Sequence, residues 1–456
     1  MNECENDRFH PIARFILDQN LGVPESALNM AATLLLDTVG VAAGAAGLEA
    51  GRIARDFAVN YHGAGPGALS APLLFDGRNT SVVGAAFAGA TQIDNLDGHD
   101  GYNPTKGHIG CAVVPALFAF AASRPDLGGR QALGALVMAY EVAARAGISL
   151  HATVSDYHTS GAWNALGVAA LGCHLMRVDA STLREALGIA EYHGPRSQMM
   201  REIDNPSMLH DGSGVGAMTG ASAAILAEEG FRGAPAITVE GEETASYWRD
   251  LGTFWSIEHN YIKPYPICRW AHAAIDAVGC LMQDHSFGPD DIDAVEVRTF
   301  HEAACLFSGM PQTSSQAQYS LGYAVAVMLR HGHIGPAHIS GPALCDPKTT
   351  ELLARTTIVE EARHSARFPQ GRWSDVEITL NDGRRIASGD VHARGGPEAP
   401  MTGSEIEAKF RAMTSQSLPR ARAGAIWQAG RALLQDGVPF SQLSNLTESA
   451  ASMEAI

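Results

Sequence analysis

The chain has 456 residues, 46% of them hydrophobic, and a formal net charge of -17. That length exceeds what one ordinary core organises, so two domains are expected. The acidic balance, with a pI near 5.5 and no Lys/Arg-rich run, excludes a nucleic-acid backbone or an anionic membrane surface as main partner, whereas basic residues gathered in one pocket still suit a small anion.

Seven cysteines (Cys4, Cys111, Cys173, Cys268, Cys280, Cys305, Cys345) are scattered and never form a C-x-x-C pair. They read as reduced thiols, with neither an iron-sulfur cluster nor a structural zinc site expected. The amino terminus has no basic n-region or apolar h-region, and no uninterrupted apolar run is of membrane-spanning length, so a cytoplasmic location is expected.

In chain order, Ile12, Phe15 and Ile16 share a helical face, and Pro24 opens a second helix whose stretch Ala27 to Val41 is apolar all round. Such a helix belongs inside a helical core, with Asp37 as its bridging carboxylate. A third helix starts near Gly51, and a Gly/Pro-rich irregular passage covers His62 to Asn79. Helical spacing then recurs at Val82 to Gln92, Cys111 to Ala122, Gly134 to Leu150, Ser160 to Met176, Ser181 to Tyr192 and Gly214 to Glu229, with Ser181 and Glu185 as a helix start. After Trp255 the pattern changes. Asp291 to Thr299, Trp373 to Leu380 and Arg385 to Val391 alternate apolar and polar, with Asn381-Asp382-Gly383 as a hairpin turn, beside helices at His272 to Gln283 and Leu321 to Arg330. Ser404 to Met413 and Ala421 to Leu434 are helical again, and the last dozen residues read as frayed.

The stretch DNLDGHDGYNPTKGHIGC, Asp94 to Cys111, sets Asp94, Asp97, Asp100, His99, His108 and Lys106 between two apolar helices. Acids, histidines and a lysine on a loop held by rigid elements supply what proton transfer needs, against the plainer reading of a solvated, capping turn. Four further places carry chemistry. His158 precedes a helix start, where backbone N–H groups attract an anion. HNYIKPYPICRWAH brings Lys263, Tyr265, Arg269 and His272 to the change of composition, where Lys and Arg suit a carboxylate. Tyr319 and Tyr323 stand four apart, on one helical face. REIDNPSMLHDGSG carries Arg201, Asp204, His210 and Asp211 before a helix. There is no G-x-S-x-G, H-E-x-x-H or phosphate-binding glycine motif.

DTVGVAAGA, then D-x-x-D-G-H-D with G-H-x-G, then YHTSGAWNALG, K-P-Y-P-x-C-x-x-x-H-x-x-I-D-A and QAQYSLGYAVA, in that order, resemble the MmgE/PrpD family from about Pro11 to about Leu434. The resemblance implies a mainly α fold: an all-helical domain from both chain ends (1–262 and 400–456), an inserted α+β lid domain (263–399), and a homodimer. It implies enzymes of small di- or tricarboxylates, of the 2-methylcitrate dehydratase, cis-aconitate decarboxylase or iminodisuccinate epimerase kind, with no obligatory metal, flavin or nicotinamide. A hydro-lyase is the leading expectation.

By the same resemblance Asp97, with Asp94 and Asp100 as alternatives, His108, His158, Lys263 and Tyr323 are the catalytic candidates. Lys106, Arg201, His210, Arg269 and His272 are the substrate-binding ones. Two departures stand out: Ile109-Gly110 follows His108 where the family has P-S, and Ser207-Met208-Leu209 precedes His210 where many members carry a lysine, leaving Arg201 or His210 to substitute. A non-catalytic carboxylate sensor, and a metal-dependent hydrolase using His99, His108, His158 and His210, are the other classes the pattern admits.

Overall fold

A computed structural model describes residues 6–451. Helices α1 (Asn6–Leu17), α2 (Glu25–Ala45) and α3 (Glu49–Tyr61) lead into a two-stranded antiparallel ribbon, β1 (Ser70–Pro72) with β2 (Asn79–Ser81). This ribbon lies inside the passage expected to be irregular; three residues per strand are too few to show alternation. Helices α4 (Val82–Asp94), α5 (Gly110–Ala121), α6 (Gly129–Thr153), α7 (Gly161–Met176), α8 (Ala180–His193), α9 (Met199–Asp204) and α10 (Ser213–Glu228) follow. The start of α8 is capped by Asp179, whose carboxylate accepts from Thr182 N–H, and not by the expected Ser181.

The core forms around α7 and α10, which pack on each other and on α5 and α8. Small residues make that possible: a Cβ on Gly220 would come within 2.3 Å of Ala165 O. Helices α2 and α6 are long and apolar enough to cross a membrane by length and composition, more than the sequence reading allowed, and most of each is buried inside the fold. As the apolar face of α2 requires, two C-terminal helices, Gly403–Thr414 and Arg420–Ala432, pack against it. Asp37 meets Lys409 Nζ at 2.6 Å across that contact. A last helix, Ser441–Glu448, occupies part of the segment expected to fray.

Between these parts a five-stranded mixed sheet has the order β4-β3-β5-β6, with β7 also paired to β5. Its strands are β3 (Ile292–Thr299), β4 (Thr356–Glu360), β5 (Trp373–Leu380), β6 (Arg385–Ala387) and β7 (Val391–His392). Strand β4, parallel to β3, has no counterpart in the sequence reading, because none of its five residues is fully buried and it shows no apolar alternation. Helices His272–Asp284 and Leu321–His331 cover the sheet. The fold is thus mainly α with one small sheet. Six cysteines in the described residues are free thiols; Cys4 lies outside the described residues.

Candidate functional site

The Asp94 to Cys111 loop is not a solvated turn. Asp94, Asp97, His99, Asp100 and His108 are all buried, because the loop is roofed by the junction that follows Trp255. Gly101 and Tyr261 exchange both backbone hydrogen bonds, at 3.0 and 2.8 Å, and a Cβ on Gly101 would collide with the Tyr261 hydroxyl. Lys409 Nζ donates to Gly98 O at 2.6 Å, tying the loop to the C-terminal helices as well.

Lys263, with no exposed surface, donates to Asp97 O at 3.1 Å and makes an ion pair with Asp97 Oδ1. Burial pulls the ammonium towards neutrality, but Asp97 and Tyr261 outweigh it and hold the lysine protonated. His99 Nε2 lies 3.3 Å from Asp94 Oδ1 and 4.0 Å from Asp97 Oδ1; burial, reinforced by Lys263, lowers its pKa to about 4. Burial raises Asp94 to about 7 and Asp211 to about 6, the latter aided by the charge of Asp94.

His108 sits edge-on to His99, ring centroids 4.6 Å apart. Its Nδ1 is 2.7 Å from Asp100 O. A carbonyl only accepts, so Nδ1 carries the proton and Nε2 keeps its lone pair. That Nε2 faces Asp211 Oδ2 at 3.5 Å. Burial and the charge of Lys263 hold the ring well below its ordinary pKa, so it is neutral and ready to accept a proton. Ser160 fixes both partners: its Oγ accepts from His108 N–H at 3.0 Å and donates to Asp211 Oδ1 at 3.0 Å. Asp97, Lys106 and His210 have positive φ (52°, 53° and 44°), backbone strain of the kind that gathers at functional sites.

A second group lies behind Asp211. Tyr319 donates to Glu202 Oε1 at 2.5 Å, His210 Nδ1 is 3.9 Å from the same oxygen, and Ser315 Oγ is 3.5 Å from His210 Nε2. Burial raises Glu202 well above its ordinary value and lowers His210 to about 3.

The structure therefore brings Asp97, His108, Lys263 and His210 together. His158 stands apart from the carboxylates, its backbone paired with Gln198 and its N–H donating to His151 Nε2 at 3.2 Å; it is linked to His108 only through Ser160, two residues on. Lys106 lies over the Tyr157 ring at 4.3 Å. Arg269 stacks on Tyr261 at 4.3 Å and donates to Arg394 O and Ala393 O, which locks the junction to the sheet's end. His272 is fully buried with Nε2 2.9 Å from Ile267 O.

Arg201 and Tyr323 also lie outside the cluster. Arg201 is exposed, because α9 turns Met199, Glu202 and Ile203 inward and leaves Arg201 on the other face. Tyr323 donates to His338 O and Ala343 O. Nor do Tyr319 and Tyr323 share a helix: one ends at Gln318, and Ser320 caps the next, its Oγ accepting from Tyr323 N–H. Ser at an N-cap was the available signal for that break.

Sequence reasoning missed Glu202, Ser160 and Arg372. Arg372 is 2% exposed, its Nη1 donates to Pro369 O, its guanidinium lies over the Phe368 ring at 5.2 Å, its Nε makes no hydrogen bond, and no carboxylate pairs with it among the described residues. Its charge acts on His108, Tyr157, Tyr261 and Lys106. A buried guanidinium with no carboxylate partner, whose charge is felt at a neutral histidine, suits an anion.

Asp94, His99 and Cys111 also offer three donor atoms within 4.8 Å of one another. The Lys263 ammonium on neighbouring Asp97 opposes a divalent cation there.

A buried carboxylate–ammonium pair, a neutral histidine with a free lone pair and an unpaired arginine, held between a helical core and a small sheet, fit the family to which the motifs pointed. The MmgE/PrpD N-terminal domain matches residues 10–248 and the MmgE/PrpD C-terminal domain residues 265–434, and the chain belongs to the MmgE/PrpD family. Among characterised relatives it is similar to the cis-aconitate decarboxylase of Homo sapiens, 24% identical over 73% of each chain. It is equally similar to that of Mus musculus, 23% identical over 74% of this chain and 72% of the other.

Proposed function

We propose that this protein is a cofactor-independent lyase that removes a proton from carbon next to the carboxylate of a small organic acid. The observation that carries the reading is His108: its Nδ1–H is fixed on Asp100 O, which leaves Nε2 as the base. Such a proton is weakly acidic, and its removal needs positive charge where the carboxylate becomes enediolate-like. Arg372 and Lys106 supply it at the His108 side, and Lys263 keeps the Asp97 end of the cluster from accumulating negative charge. Asp211, unprotonated above about pH 6, receives and relays the proton that His108 takes.

Dehydration is the leading outcome: the carbanion-like intermediate expels a neighbouring hydroxyl, with His158 or Asp211 as the acid. Decarboxylation is the second reading, favoured by the relatives named above; there the electron pair of the breaking C–C bond forms the carbanion-like intermediate as carbon dioxide leaves, and that intermediate takes up a proton. Epimerisation, the third expectation from the resemblance, finds no support among those relatives. Further parts of the proposal are a helical body (1–262 and 400–456), a lid (263–399) closing at the Lys263 junction, a homodimer and a cytoplasmic location. The test is turnover of His108→Asn: a fall of at least about 100-fold in kcat with a correctly folded protein supports the base assignment, and unchanged turnover refutes it.

A further inference from the structure

Helix α7 is apolar along nearly its whole length, and one amide interrupts it. Asn164 has no exposed surface, and its neighbours Ala162, Trp163, Ala165 and Leu166 are buried as well. An amide taken out of water is costly unless its hydrogen bonds are replaced. For Asn164 the replacement is partial: Nδ2 donates to His108 O at 2.8 Å, while Oδ1 is buried without a partner among the described residues. A carbonyl only accepts, so the atom facing it is the nitrogen. Helix propensity does not account for the residue either, since Asn competes for backbone groups and weakens a helix interior.

What the amide holds is the backbone of His108. The first carbonyl of the α5 ladder is that of Ile109, which accepts from Ala112 N–H and Val113 N–H. The His108 carbonyl lies one residue earlier, outside that ladder, and Asn164 supplies its donor. The His108 N–H donates to Ser160 Oγ at 3.0 Å. Ser160 stands at the start of α7 and Asn164 four residues on, so one face of one helix holds both backbone groups of this histidine. The loop lies directly on that face: a Cβ on Gly107 would come within 2.5 Å of Ser160 Oγ and 2.8 Å of the Trp163 ring. With Nδ1 fixed on Asp100 O at 2.7 Å, every polar atom of His108 except Nε2 is anchored.

We propose that Asn164 is a positioning residue for the reaction: through His108 O it fixes the 108–109 peptide, and with it the direction in which His108 Nε2 meets the carbon-bound proton. The inference rests on the reading of His108 as the base and adds a group that acts through that base. Asn164 differs from Ser160 in reach. Ser160 also donates to Asp211 Oδ1 at 3.0 Å, so its loss disturbs the base and the proton acceptor together, whereas the Asn164 side chain bonds to His108 alone. A small rotation is enough to matter, because displacing a reacting group by about 1 Å costs up to about 100-fold in rate.

The test is a double-mutant cycle on the full-length enzyme, with turnover of 2-methylcitrate, citrate and cis-aconitate followed by proton NMR. Asn164→Leu and Asn164→Ala both remove the donor, one by filling the site and the other by emptying it, so a loss common to both is the loss of the hydrogen bond. The expected result is a fall of at least about tenfold in kcat in each, with KM within about twofold of the parent. In a His108→Asn background neither change should lower kcat further by more than about twofold, because a residue that acts through the imidazole has nothing left to position. Parental kcat in both Asn164 variants overturns the proposal, and a loss of activity in His108→Asn then leaves the base reading standing. A further fall in the double variants as large as in the single ones, or a failure of both single variants to fold, makes the role of Asn164 structural and overturns it too. If His108→Asn keeps parental turnover, or the parent turns over none of the three acids, the base reading falls and the proposal with it.

Discussion

At the scale of single residues, the site is decided by which buried charges are matched. Lys263 and Asp97 satisfy each other in a place where either alone would be costly. Lys263→Met is therefore expected to lose about 3–5 kcal/mol in urea unfolding, the usual cost of leaving one buried partner unmatched. Adding Asp97→Asn to it should restore much of that loss, and a double variant no more stable than the single one contradicts the pairing. Asp100 is a different case: burial, helped by the charge of Asp37, raises it to about 7. A carboxyl with a raised folded pKa contributes stability that is full below its ordinary value near 4 and is lost as pH rises through about 7. Asp100→Asn should thus gain stability relative to the parent as pH rises from 4 to 7, and a urea midpoint difference that is flat across this range refutes the assignment. Catalysis has the opposite slope. Asp211, at about 6, must be unprotonated to accept from His108, so kcat should climb with pH through about 6 and level off above it. Arg372→Met should raise KM by at least about tenfold, as expected when a charge-assisted hydrogen bond to a carboxylate is removed.

At the scale of elements, the helices and the Asp94 to Cys111 loop were legible because apolar periodicity and a dense polar run are local signals. Lys263 was legible through its prolines and its place at a change of composition. Arg372 was not, since it lies just before β5 and its charge reaches His108 only after that strand pairs with β3 and the junction folds over the loop. Tyr323 entered by its resemblance to the family's S-x-x-Y segment, and the four-residue spacing set Tyr319 on the same helical face; the Ser320 cap splits that face, so Tyr319 reaches Glu202 and Tyr323 two backbone carbonyls. Packing between elements carries a further expectation. A Cβ on Gly161 would come within 2.3 Å of Gly212 O, where Gly161 N–H also donates to Asp211 O at 2.9 Å. Gly161→Ala should force α7 away from the turn that presents Asp211, costing about 1–3 kcal/mol as overpacking does and lowering kcat as well. A variant with parental stability and activity contradicts this account of how Asp211 is placed.

At the scale of the whole molecule, the buried charged and titratable groups come from distant parts of the chain, with Lys409, Lys263, His108 and Asp211 converging around one buried loop. The central claim is that this convergence makes His108 a base towards carbon next to a carboxylate. Proton NMR of the enzyme in deuterium oxide tests it most directly, with a panel of 2-methylcitrate, citrate and cis-aconitate and with His108→Asn as the paired control. The account predicts loss of a C–H signal by exchange or elimination in at least one acid with the parent enzyme, slowed at least about 100-fold in the variant. Equal rates in parent and variant would contradict it.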